Sequence, residues 1–314
     1  MKTALLFAGQ GSQHAGMGKD LYEKYDSFRK AFDSASLPFD LHEVCFEDKN
    51  NVISQTKFTQ PCMVAFATGC SAVLKENGFT PDFTAGLSLG EYSALEAAGV
   101  FDAKTAIETV AFRGQAMEDA AKGIESGMTA VLGLEHFHLQ KCCDEASRET
   151  GKSVSICNYN CPGQLVIGGE ISAVQKASAL ATDSGARKCI PLSVSGPFHT
   201  SYMKSAGDKL NDYFKTMVFG KPQISVMYNF LGSENTNNFS IPDLLVQQVQ
   251  NSVKMESIIR EMLRSGVKCF VEIGPGKALS GFVKKTAKDM NITDYTCFGI
   301  ETLDDMEAFL AAKE

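Results

Sequence analysis

Short apolar stretches of strand length alternate with amphipathic stretches of helix length along this 314-residue chain, a pattern that points to an α/β sheet protein. Residues 3–8 and 83–87 read as strands. Helices are expected near 19–35, with Leu21, Tyr25, Phe28 and Phe32 on one stripe, and from about Thr59, with Pro61 in the first turn and Asn77-Gly78 as the stop. Two more run from Leu89 to about Ala98 and from an Asp102 N-cap to about Lys122. The middle of the chain breaks the rhythm. There 128–134 is a strand, 135–150 a helix, 153–159 and 164–169 two strands joined by the turn Asn160-Cys161-Pro162-Gly163, 171–184 a helix and 187–194 a strand. That β-α-β-β-α-β order is ferredoxin-like. After residue 200 the alternation resumes, with strands at 224–228 and 267–273 and helices near 243–250, 252–265 and 277–289. The expectation is a large α/β domain made of 1–123 and 192–314, interrupted by a ferredoxin-like subdomain at 124–191.

Composition narrows the function classes. An apolar fraction of 44% with 21% charged residues is ordinary globular usage and excludes a disordered chain. A net charge of −7 argues against a broad electrostatic grip on nucleic acid or on an anionic membrane. The ten cysteines lie mostly inside apolar runs and contain no C-x-x-C, so they read as reduced core residues. His136, His138, Cys142 and Cys143 have no second ligand pair, and no metal is expected. The brief apolar run at 4–8 passes straight into Gly9-Gln10-Gly11-Ser12-Gln13 and reads as a first strand rather than a signal peptide. No apolar stretch approaches the roughly 20 residues of a membrane span, and a cytoplasmic protein is expected.

Two phosphate-binding motifs fail on inspection. The third glycine of a G-x-G-x-x-G after Gly9 would fall on His14, and the Walker pattern around Gly274-Pro275-Gly276-Lys277 lacks its first glycine and its hydroxyl residue. One motif holds: Gly86-Leu87-Ser88-Leu89-Gly90, a G-x-S-x-G between a short strand and a helix. In that setting the glycines permit a tight turn that exposes the serine oxygen, and the helix N-terminus offers backbone N–H groups to a developing oxyanion. Ser88 is therefore the candidate nucleophile. Of five histidines, His199 lies where the chain returns to the large domain and is the best base, with His14 the runner-up. None of the carboxylates between Ser88 and His199 is marked out as a third member. Arg113 borders the apolar face of its helix, and two readings stay open: an arginine paired with an acidic side chain, or a site for an anionic ligand.

Taken in order, Gly9-Gln10-Gly11-Ser12-Gln13, Thr59-Gln60-Pro61, Gly86-Leu87-Ser88-Leu89-Gly90-Glu91-Tyr92-Ser93-Ala94, Arg113-Gly114, Asn158-Tyr159-Asn160-Cys161-Pro162-Gly163-Gln164, Pro197-Phe198-His199 and Glu272-Ile273-Gly274-Pro275-Gly276 closely resemble the malonyl-CoA–acyl carrier protein transacylases of fatty-acid synthesis. The resemblance runs from residue 4 to about 285 and implies a hydrolase-like α/β domain with a ferredoxin-like insert. It implies Ser88 as the acyl-accepting nucleophile, His199 as its base, and the backbone N–H groups of Gln10 and Leu89 as the oxyanion hole. Arg113 would hold the malonyl carboxylate and Met117 would line the pocket. Phe198 would exclude branched acyl groups, and the main-chain carbonyl of Gln250 would orient the histidine. Malonyl-CoA and acyl carrier protein are the implied partners, with no cofactor, in a ping-pong transfer. Leu87 departs from the histidine that many relatives carry. A free-standing acyltransferase serving a polyketide synthase, a serine hydrolase and a catalytically dead carrier-binding module are the rival readings. Lys277, Lys284, Lys285 and Lys288 are candidates for a carrier-docking patch, against the plainer reading of a solvated helix face.

Overall fold

A computed structural model describes residues 1–313. Its strands are β1 (Lys2–Phe7), β2 (Phe83–Gly86), β3 (Ser126–Leu132), β4 (Val154–Cys161), β5 (Gln164–Glu170), β6 (Lys188–Leu192), β7 (Ser225–Tyr228), β8 (Ser233–Glu234), β9 (Val267–Ile273) and β10 (Thr296–Ile300). The helices are α1 (Lys19–Lys24), α2 (Asp26–Phe32), α3 (Thr56–Glu76), α4 (Gly90–Ala97), α5 (Ala103–Ala121), α6 (His136–Thr150), α7 (Ile171–Asp183), α8 (Lys204–Phe214), α9 (Ile241–Gln250), α10 (Met255–Arg264), α11 (Ala278–Asp289) and α12 (Leu303–Lys313).

Two sheets organise these elements. The larger has the order β10-β9-β1-β2-β7-β8, parallel except for the β7–β8 edge pair. Its central strand β1 is apolar on both faces, as a strand covered on both sides must be. Leu5 and Phe7 pack into one apolar layer, while Ala4 and Leu6 pack into the other. The smaller sheet, β4-β5-β3-β6, is antiparallel throughout, and its strand order with α6 and α7 is the ferredoxin-like arrangement. It has its own core, which includes Val131, Leu139, Cys143, Ile156, Ile167 and Val174. The fold is thus a hydrolase-like parallel sheet interrupted by a ferredoxin-like unit. Its edge strand β4 is stitched to the larger part. The Tyr159 N–H donates to Val253 O at 2.8 Å, and the Val253 N–H donates to Cys157 O at 2.9 Å.

Several elements differ from the sequence expectation. The helix expected at 19–35 is two helices, because Tyr25 adopts an extended conformation (φ −109°, ψ 120°). The break lets Leu21, Phe28 and Phe32 all reach the core. Helix α3 starts three residues before Thr59, so Pro61 lies deeper in it than a first turn. Glu118, from α5, accepts the Lys57 N–H at 3.1 Å and caps this earlier start, a contact that local sequence does not announce. Strand β4 continues through Cys161, which shortens the expected turn to Pro162-Gly163. Helices α8 and α12 and strands β8 and β10 were not anticipated. All ten cysteines are free thiols. Among the described residues no helix is long and apolar enough to cross a membrane, and no three His, Cys, Asp or Glu side chains gather as a metal site.

Candidate active site

The G-x-S-x-G segment turns sharply from β2 into α4. A Cβ on Gly86 would lie 1.9 Å from the Gly90 carbonyl carbon, and one on Gly90 would lie 2.4 Å from Phe7 O. Both positions therefore require glycine. Ser88 sits between them in the left-handed region, at φ 56°, where a residue with a side chain is strained. The turn leaves Ser88 partly buried at the end of the parallel sheet.

His199 reaches that oxygen from a different part of the chain. Its Nε2 lies 2.7 Å from Ser88 Oγ, and its Nδ1 lies 2.8 Å from Gln248 O. A carbonyl oxygen can only accept, so Nδ1 carries the proton and Nε2 presents its lone pair to the Ser88 hydroxyl. Burial, and then the nearby Arg113 charge, pull the His199 pKa down to about 4, which keeps the ring neutral at ordinary pH. His199 also stands in the left-handed region, at φ 59°.

The orienting carbonyl belongs to Gln248 and not to Gln250. Helix α9 ends at Gln250, so the carbonyls of its last turn have no partner within the helix. Gln247 O takes the Asn251 side chain, which leaves Gln248 O for the histidine. Gln250 turns the other way, with its own amide donating to Val246 O. Gln248 does more than accept from the histidine. Its side-chain NH2 donates to Ser88 O at 2.8 Å, and its Oε1 accepts from Arg113 Nη2 at 3.0 Å.

Arg113 is completely buried. Its Nη1 donates to Gln60 Oε1 at 2.8 Å, and its Nη2 also lies 3.1 Å from Ser88 Oγ. The face of Tyr92 lies 5.5 Å from the guanidinium, and Nε has no partner. Among the described residues no Asp or Glu pairs with it, which removes the ion-paired alternative. Glu91 is the nearest acidic influence, and burial pushes its pKa up to about 8, so it is largely uncharged at neutral pH. A guanidinium held in this way beside a nucleophile is set up to take a ligand's carboxylate.

The remaining candidates fall around this centre. Leu89 follows the nucleophile at the start of α4. Gln10 lies in the loop after β1, and its side chain donates to Thr56 Oγ1 at 3.2 Å. Thr56 Oγ1 is in turn 3.0 Å from Ser195 Oγ, in the segment that leads to His199. The backbone N–H groups of Gln10 and Leu89 meet no acceptor among the described residues. Met117 is buried, and its Sδ accepts from Gln60, behind Arg113. Phe198 is buried next to the histidine. His14 is turned away from Ser88: its Nε2 pairs with Glu301 at 3.0 Å and its Nδ1 lies against Ala15 O.

A parallel sheet whose strand-to-helix elbow presents a serine to a neutral histidine, with a buried arginine alongside, defines an acyl-transfer enzyme. The chain belongs to the acyl transferase domain family, whose pattern it matches over residues 4–314. It is 42% identical over 286 residues to the malonyl CoA-acyl carrier protein transacylase of Bacillus subtilis, covering 90% of each chain. It superposes on the crystal structure of the Clostridium perfringens malonyl CoA-acyl carrier protein transacylase with a TM-score of 0.93 and 37% identity, covering 100% of this chain and 97% of the other. A malonyl-transacylase solved in complex with its type II PKS acyl-carrier protein gives a TM-score of 0.93 at 33% identity, covering 99% of this chain and 100% of that one.

Proposed function

We propose that this acyltransferase moves a malonyl group from malonyl-CoA to the phosphopantetheine thiol of acyl carrier protein, in fatty-acid biosynthesis, through a malonyl ester of Ser88. The observation that carries the reading is the convergence on Ser88 Oγ of His199 Nε2 at 2.7 Å and Arg113 Nη2 at 3.1 Å. In the first half-reaction His199 Nε2 takes the serine proton as Oγ attacks the thioester carbon. The N–H groups of Gln10 and Leu89 receive the developing oxyanion, and collapse of the intermediate releases CoA, protonated from His199. In the second, His199 takes the proton of the carrier thiol as the sulfur attacks the ester carbonyl, and returns it to Ser88 Oγ as the ester C–O bond breaks. A thioester is already activated, so a dyad oriented by a main-chain carbonyl is chemically sufficient.

Arg113 holds the free carboxylate of the malonyl group, and Met117 and Phe198 shape the space around it. No cofactor enters these steps, and a cytoplasmic setting suits the ten free thiols. Likeness to a transacylase bound to a polyketide carrier supports a second reading, in which the carrier belongs to a polyketide synthase and the chemistry is the same. Radiolabelled malonyl-CoA tests the site. Wild-type protein should become labelled and pass the label to added carrier, while Ser88→Ala should take up none. Label retained in Ser88→Ala would refute the assignment, and transfer to fatty-acid and polyketide carriers in parallel separates the two readings.

A further inference from the structure

The strained elbow has a brace that the catalytic groups do not account for. Strands β2 and β7 pair in parallel at only two positions, Phe83↔Ser225 and Thr84↔Val226. Beyond these no further main-chain pair forms, although β2 continues to Gly86 and β7 to Tyr228. Asn229, fully buried and next in the chain after β7, takes over the role of the missing ladder. Its Oδ1 accepts the Ser88 N–H at 2.7 Å, and its Nδ2 donates to Gly86 O at 2.7 Å. A carboxamide has the same donor and acceptor as a peptide group, so one side chain supplies both halves of a ladder contact to the two residues flanking Leu87.

Asn229 is itself held. Its backbone N–H donates to Glu91 Oε2 at 2.6 Å, its carbonyl accepts the Lys254 N–H at 3.0 Å, and Glu91 Oε1 has no partner. We propose that Asn229 is a positioning residue for the nucleophile, locking Ser88 in its left-handed conformation, and that Glu91 anchors Asn229 in turn. The proposal rests on the reading of Ser88 as the acylated residue. Its physical content is that a residue at positive φ persists only where its surroundings over-determine it. With the brace removed, the Ser88 peptide can relax toward commoner backbone angles and carry Oγ away from His199. Ser88 binds no substrate through its amide, so the loss belongs to the acylation step and not to binding. A displacement of about 1 Å at a reacting atom costs about 100-fold in rate.

The test is single-turnover acylation with labelled malonyl-CoA, alongside KM, the pH profile and the melting temperature of each variant. Asn229→Ala is expected to acylate about 100-fold more slowly, with KM for malonyl-CoA within about threefold of wild type and the His199-governed pH profile unchanged. Asn229→Asp keeps the acceptor for Ser88 and is expected to lose less, about tenfold. Glu91→Gln keeps an acceptor for the Asn229 N–H and should recover most of the rate lost in Glu91→Ala. Wild-type acylation in folded Asn229→Ala, or a loss confined to KM, overturns the proposal. If the alanine variant does not fold, wild-type acylation in Asn229→Asp overturns it equally. These outcomes leave the Ser88 assignment standing, whereas labelling of Ser88→Ala removes that assignment whatever Asn229 does.

Discussion

Arg113 and His199 are each unusual, and each makes a prediction. Arg113 is buried among neutral partners, and if it holds the malonyl carboxylate as proposed, Arg113→Ala should lose malonyl transfer by about 100-fold or more, in line with removing one member of a buried charge pair. The same variant should keep or gain acetyl transfer, since an acetyl group offers no carboxylate; equal loss of both transfers would contradict the clamp. The His199 pKa is lowered to about 4, and only the neutral ring can take the serine proton. Acylation kcat/KM should therefore stay level as the pH falls toward 5 and then drop about tenfold per unit below 4. Part of the lowering comes from the Arg113 charge, so a bound carboxylate should shift the break in kcat to a higher pH. Ser88 was legible from its G-x-S-x-G setting, His199 as one of only five histidines, and Arg113 from its place at the edge of an apolar helix face. The orienting carbonyl was misplaced by two residues because a main-chain group carries no side-chain signature. The one available cue was that α9 stops at Gln250 and so frees the carbonyls of its last turn. Gln60 and Asn229 act through amides that look ordinary in sequence.

The elbow is the element where sequence and backbone agree most closely. Gly86 packs on the Gly90 backbone and Gly90 on that of β1, so neither tolerates a methyl group. Gly86→Ala or Gly90→Ala should destabilise the protein by about 4 kcal/mol or prevent folding, read as a fall in melting temperature; a change below about 1 kcal/mol would show that the turn can shift. Burial keeps Glu91, on the helix that follows, protonated up to pH about 8, above its unfolded value. Its share of the stability is therefore present in acid and lost as the pH rises through 8. Elements with strong local signals were readable: Asp102 caps α5 by accepting the Thr105 N–H at 2.8 Å, as expected for that residue at that position. The early start of α3 was not, because Glu118, distant in the chain, caps it, nor was the split at Tyr25, where no proline or glycine marks the extended residue. Strand β10 was missed because Thr296–Ile300 is only partly buried and includes a glycine, which blunts the strand pattern.

At the scale of the whole molecule, the smaller sheet and its two helices enclose a core distinct from the layers around the parallel sheet. That separation supports the proposed division at 124–191. It predicts that amides of α6, α7 and β5 exchange with solvent as one group, at a lower opening free energy than those of β1 and β9. Native-state hydrogen exchange checks this, and uniform protection across both sheets would contradict it. With a net charge of −7, an acidic partner must be met by local basic residues. Lys277, Lys284, Lys285 and Lys288 are all exposed around α11, but Lys285 is already engaged with Gln164 at 2.9 Å, which tethers α11 to the smaller sheet.

The buried Arg113 has a further consequence. A cation buried among neutral groups is a burden on the folded state, and the malonyl carboxylate proposed to meet it would relieve that burden. The acyl-enzyme is then the more robust form, and the empty enzyme the more fragile one. Supply of malonyl-CoA would then bear on how well the protein keeps its fold as well as on how fast it works.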